Sequence, residues 1–157
     1  MRLSALLLAL VLLAPAASAQ IGRGVQEING AGTATFYEDA SIISVMVNYG
    51  YFVTRTFEVG PTVQINRFDD DFGDAETFAI LGGFGHVHFG RSATSVPFVG
   101  LELGAAVGDA EGLLFTFVGG GKLFVSRGAA LTPAAFLQLD DDGNSAFGAR
   151  FGVSAFF

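Results

Sequence analysis

Asn48–Val63 reads NYGYFVTRTFEVGPTV. Before Thr54-Arg55-Thr56, the apolar residues Val47, Tyr49, Tyr51 and Val53 alternate with Asn48 and Gly50. After it, Phe57, Val59, Pro61, Val63 and Ile65 alternate with Glu58, Thr62, Gln64 and Asn66. A period of two residues on both sides of a short polar break predicts two long strands joined by a tight turn.

The same pattern recurs along the chain. YFVTR ends at Arg55, VHFGR at Arg91 and LFVSR at Arg127, and Pro61, Pro97 and Pro133 follow each arginine at the same offset. Acidic clusters lie between these basic turns: Glu38-Asp39, Asp69–Glu76, Asp109–Glu111 and Asp140–Asp142. They hold all but Glu27, Glu58 and Glu102 of the 15 acidic residues. The repeat is therefore strand, basic turn, strand, acidic loop. Counting it out predicts eight strands near 25–37, 41–53, 56–68, 76–90, 95–108, 112–125, 129–139 and 144–157. The fourth is apolar on both parities, and Gly82-Gly83 suggests a bulge there. The prolines sit near the starts of ascending strands, where a missing ladder bond is cheapest.

These strands exceed the roughly 9–11 residues that cross a bilayer when tilted. Yet 51% of the chain is hydrophobic, and the apolar residues beyond the N-terminal stretch are interleaved with polar ones. The expected fold is all-β: an eight-stranded up-and-down antiparallel transmembrane β-barrel. Closure removes sheet edges and pairs every backbone polar group, which lipid requires.

The two ends support export. MRLSALLLALVLLAPAASAQ combines Arg2, a short apolar run and Ala17-Ser18-Ala19. Residues 1–19 are expected to be a cleaved signal peptide and residues 20–157 an outer-membrane barrel domain. The apolar run stops at Pro15, short of the roughly 20 residues that a spanning helix needs. The chain has no cysteine, so disulfides are excluded. Its net charge of -7 leaves no basic face for nucleic acid. At the far end, GARFGVSAFF (Gly148–Phe157) alternates to the last residue, with Ala149, Phe151, Val153, Ala155 and Phe157 on the apolar parity.

The inner parity collects Glu27, Glu58, Glu102, Lys122 and Arg150, and the repeat aligns His86 with Lys122. Eight strands enclose only enough space for side chains. Charges there must pair, which predicts an interior polar network of Glu58, Glu102, Lys122, Arg150 and His86. The partners within it are left open.

NYGYFVTRTFEVGPTV, SVPFVGLELGAAVG, GGGKLFVSRGAALTPAAFLQL and ARFGVSAFF together resemble the small eight-stranded outer-membrane β-barrel family of the OmpA transmembrane domain, OmpX and Ail. The resemblance implies a location in the outer membrane, with its lipid and lipopolysaccharide as surroundings. It also implies that Phe157, with Val153 and Phe151, forms a C-terminal signal read by the outer-membrane assembly machinery. The loops are short, about 3–8 residues, which weakens an adhesin role. Aromatic girdles would use Tyr49, Tyr51, Phe57 and Phe89, since tryptophan is absent.

Motifs for chemistry are sparse. His86 and His88 share a face, but a metal needs a third ligand from elsewhere. The acidic clusters do not follow the twelve-residue EF-hand pattern; they keep loop tips solvated or bridge to lipopolysaccharide through divalent ions. No phosphate-binding loop or nucleophile elbow is present, and Ser92, Ser95 and Ser126 lack an evident acid and base. The expectation is a non-enzymatic barrel without cofactor or resident metal, with a structural or surface-presentation role and a side-chain-filled interior. The alternatives are a narrow porin-like channel for ions or small solutes, and a soluble periplasmic ligand-binding barrel. Absence of Phe124 and Phe136 from the lumen would favour the channel.

Overall fold

The computed structural model describes residues 21–36, 40–70, 75–90, 92, 94–108 and 112–157. The predicted signal peptide lies outside them, as do the acidic residues Glu38, Asp39, Asp71, Asp74, Asp109 and Glu111.

Eight strands follow one another: β1 (Gln26–Phe36), β2 (Ala40–Phe52), β3 (Phe57–Asp70), β4 (Ala75–His88), β5 (Ser95–Gly108), β6 (Gly112–Ser126), β7 (Ala129–Asp140) and β8 (Ser145–Phe156). Each pairs antiparallel with its neighbour in sequence, and β8 pairs with β1 to close the barrel. The predicted eight-stranded up-and-down barrel is the observed fold, with strand limits shifted by at most a few residues.

Closure explains the ordered C-terminus. The β1–β8 ladder runs from Gly32↔Phe151 to Glu27↔Phe156. Beyond it, Gln26 N donates to Phe157 O at 2.9 Å and Phe157 N donates to Gln26 O at 3.0 Å. The last residue thus uses both its backbone groups, whereas a free end would leave them to water.

The expected bulge at Gly82-Gly83 does not occur. β4 runs in unbroken register against β3, from Phe57↔Val87 to Asp69↔Ala75, and against β5 through Gly82↔Gly104. Glycine serves close approach there: a Cβ on Gly82 would stand 2.7 Å from Gly104 Cα. The irregularity lies instead between β6 and β7, at Phe124/Ser126.

The prolines interrupt ladders to the preceding strand. The β2–β3 pairing lapses between Asn48↔Thr62 and Tyr51↔Val59, around Pro61. The β6–β7 pairing lapses between Gly120↔Ala134 and Leu123↔Leu131, around Pro133. Pro97 lies one residue past the last β4–β5 pair, His88↔Phe98. A residue without an N–H is accommodated where no partner asks for one.

Alternation divides the residues between two environments. Val45, Val47, Val63, Ile65, Val99, Leu101, Leu103, Phe117 and Leu137 are exposed on the outer wall. Met46, Asn48, Thr62, Glu58, Glu102, Val118 and Lys122 are buried inside. Tyr49, Tyr51, Phe57 and Phe89 are exposed towards the turn end of this wall. A monomer in water rarely exposes so large a contiguous apolar surface.

Candidate functional site

The interior has three levels. At the turn end, Phe52, Ala130 and Phe156 are fully buried, and Ile21, Val25 and Phe124 pack against them. Phe124 and Phe156 lie with ring centroids 5.2 Å apart. Phe156 explains the one break in the polar parity of β8: it turns inward and closes the lumen, while its neighbour Phe157 is 43% exposed on the outer side.

Above this plug lies a chain of charges. Lys122 on β6 donates to Glu27 on β1 and, at 2.9 Å, to Glu58 Oε2 on β3. Its Nζ also stands 5.3, 5.8 and 5.4 Å from the ring centroids of Phe52, Phe98 and Phe156. Carboxylates and ring faces together compensate an ammonium withdrawn from water. His88 Nε2 lies 2.9 Å from the same Glu58 Oε2.

His86 links this group to a second pair. Its Nδ1 is 3.9 Å from Glu58 Oε2 and its Nε2 is 3.5 Å from Glu102 Oε1. Arg150 on β8 grips Glu102 with both terminal nitrogens, Nη1 donating to Oε2 at 2.9 Å and Nη2 to Oε1. The paired fork suits a partly desolvated site. Beside it, Asn29 Nδ2 donates to Ser154 Oγ at 2.9 Å, and Thr132 Oγ1 is 2.8 Å from that hydroxyl.

Two glycines make room for this arrangement. A Cβ on Gly50 would overlap the Glu58 carboxylate, and one on Gly100 would overlap the His86 ring and stand 2.6 Å from Gly85 O. Inward glycines on β2 and β5 let long polar side chains lie flat across a narrow barrel.

The structure brings Glu58, Glu102, Lys122, Arg150 and His86 into one connected set, and places Lys122 between Glu27 and Glu58. His88 was not placed in the network from sequence, although its spacing from His86 puts it on the same face. With Glu58 the two histidines bring three donor atoms within 4.8 Å of one another. Lys122 holds the shared carboxylate oxygen, so this trio is arranged for ion pairing and would oppose a second cation.

The third level is a vestibule of about 210 Å³ in the loop half, floored by Glu102 and Arg150, with Phe136 in its wall. Between vestibule and plug, the charged level leaves a cavity of about 20 Å³, room for roughly one water.

Phe151 is exposed, and Val153 is half-buried on the same outer parity as Phe157.

No protein-family model and no curated protein sequence matches the chain. Solved structures do. The N-terminal β-barrel domain of Pseudomonas aeruginosa OprF aligns at 17% identity and a TM-score of 0.63, covering 87% of this chain and 99% of that one. The Yersinia pestis outer membrane protein Ail, determined in a phospholipid bilayer nanodisc, aligns at 12% identity and 0.59, covering 87% and 99%. A de novo designed transmembrane β-barrel aligns at 14% identity and 0.57, covering 88% and 100%. By fold, this chain is a closed eight-stranded antiparallel barrel of the kind shared by these small transmembrane β-barrels.

Proposed function

We propose that this chain is an exported, integral outer-membrane barrel with a structural or surface-presentation role and no enzymatic activity, its lumen plugged by its own side chains. The observation that carries the reading is the apolar outer wall around a charged, self-paired interior. A barrel soluble in the periplasm would reverse that order, with polar residues outside. On this reading the acidic turn at Asp140–Asp142 meets the lipopolysaccharide headgroups, where divalent ions would bridge like charges. Phe157, Val153 and Phe151 present an outward apolar edge to the assembly machinery.

The serines support a non-enzymatic reading through their local partners. Ser92 Oγ lies 3.1 Å from Thr94 Oγ1, and Ser126 Oγ accepts from Gly128 N at 3.3 Å. These are turn contacts.

Heat-dependent gel mobility in the outer-membrane fraction tests the reading. A folded barrel shifts on boiling; a soluble periplasmic product with no shift would overturn it. Leu101, at the middle of β5 on the outer wall, gives a sharper test. Leu101→Arg should cost about 2–4 kcal/mol in a bilayer, read as a lower urea midpoint in liposomes. An unchanged midpoint would mean that this wall does not meet lipid.

The plug supports the structural role over a channel. With Phe52, Phe156 and the Lys122 cluster across the lumen, planar bilayers containing the protein should stay near background conductance. Steady single-channel steps would favour the channel instead.

A further inference from the structure

We propose that the turn end of the barrel binds the headgroups of anionic phospholipids, with Arg55 and Arg127 holding the phosphodiester. The inference rests on the outer-membrane reading and adds which lipid the turn end selects.

Charge is sorted along the barrel axis. The turn-end segments 21–25, 53–56, 89–95 and 125–128 carry Arg23, Arg55, Arg91 and Arg127 and no Asp or Glu. The acidic clusters all belong to the opposite, loop end. Arg91 lies outside the described residues. Arg23, Arg55 and Arg127 are exposed. The first carboxylates met inward from them, Glu27 and Glu58, are already held by Lys122. This end therefore carries guanidinium groups with no acidic side chain of its own to neutralise them, and draws counter-charge from its surroundings.

Depth identifies that counter-charge. Tyr51 and Phe57 flank Arg55 and are exposed on the outer wall. Arg55 stands two residues from Phe57, about 7 Å of extended chain. The headgroup layer is roughly 5–8 Å deep on each side of the hydrocarbon, so the guanidinium falls among lipid phosphates. Its planar fork binds phosphate with paired hydrogen bonds.

The local surface has the matching chemistry. Arg55 and Arg127 border one hollow of about 540 Å³ at the barrel mouth, with Thr56 and Ser126 beside them and no carboxylate in its lining. Ser126 Oγ accepts from Gly128 N at 3.3 Å, which leaves its hydrogen to donate to a phosphate oxygen. Val125, 60% exposed on the outer wall, lines the same hollow. The hollow thus opens over the rim towards lipid. A headgroup can enter it while its acyl chains stay against the outer wall, and this continuity favours a lipid over a soluble phosphate.

The test uses the full mature chain, labelled with nitrogen-15, in phosphatidylcholine nanodiscs in which phosphatidylglycerol replaces a rising share of the lipid. The Thr54, Arg55 and Gly128 backbone amides should shift saturably with phosphatidylglycerol, whereas Gly143 at the loop end should not. Combining Arg55→Gln with Arg127→Gln should raise the half-saturating fraction at least about tenfold, read at Thr54 and Gly128, since each arginine near an anionic surface is worth about fivefold. Heat-dependent mobility confirms that the variant is folded. If it is not, Arg127→Gln alone, expected to act about fivefold, decides. Inorganic phosphate, titrated at constant ionic strength into nanodiscs of phosphatidylcholine alone, tests the soluble source of the same chemistry. Saturation of these amides by millimolar phosphate would assign a soluble-phosphate site and overturn the lipid assignment. Shifts that never saturate, or that are the same in parent and variant, would overturn it too. A chain that does not enter nanodiscs as a heat-shifting barrel would instead overturn the outer-membrane reading, so the two failures are distinct.

Discussion

Replacing Lys122 by methionine should lower the unfolding free energy by about 3–5 kcal/mol, the usual cost of breaking a buried ion pair from one side. Lys122 is the ammonium between Glu27 and Glu58. Without it, two buried carboxylates face each other with no cation between them. His88 Nε2 lies 2.9 Å from Glu58 Oε2, and a neutral imidazole there can donate a hydrogen bond without supplying the missing cation. The measurement is urea unfolding in liposomes, with the midpoint and slope fitted together. The triple variant Glu27→Gln, Glu58→Gln, Lys122→Met should recover most of the loss, because an ion cluster replaced whole is often nearly neutral. A single variant within about 1 kcal/mol of the parent would mean that water reaches these carboxylates. The plugged lumen would then be wrong.

The second large effect separates two neighbouring phenylalanines. Phe156→Ala should cost about 3–5 kcal/mol, as for other large aromatic truncations in a packed core. Its ring is fully buried against Phe52, Ala130 and Phe124 and faces the Lys122 ammonium. Phe157→Ala should cost roughly 1 kcal/mol, because its ring is 43% exposed. Under the proposed assembly role of Phe157, the order should reverse in cells for yield in the outer membrane: Phe157→Ala removes the outward C-terminal aromatic and Phe156→Ala keeps it. Refolding from urea measures the first quantity and fractionated membranes measure the second. Equal loss of membrane yield in both variants would reduce Phe157 to a packing residue.

Much of the fold is legible in residues 48–63 and their repeats. Strict alternation survives because each strand separates two unlike environments, and a slip of one residue would exchange them. The paired turns at Arg55 and Arg127 set strand length, so the number of strands follows from counting. The interior charges stand out for the same reason: Glu58, Glu102, Lys122 and Arg150 occupy the parity opposite the continuous apolar stripes of their strands. β4 resists this reading because both its parities are apolar. Its inward residues include Ile80 and Phe84, which belong to the vestibule wall and the packing around His86.

Local sequence determined what recurs at short range: the two-residue period, the turns, and which residues face inward. Only the closed barrel decided which inward residues meet. Glu27 and Lys122 lie on β1 and β6, and Glu102 and Arg150 on β5 and β8. None of these pairs sits on adjacent strands. They touch because eight strands curl into a lumen one side chain wide, and the register of every ladder between them sets their heights. The vestibule has the same origin. It is a product of what stands across the lumen, which no local pattern encodes.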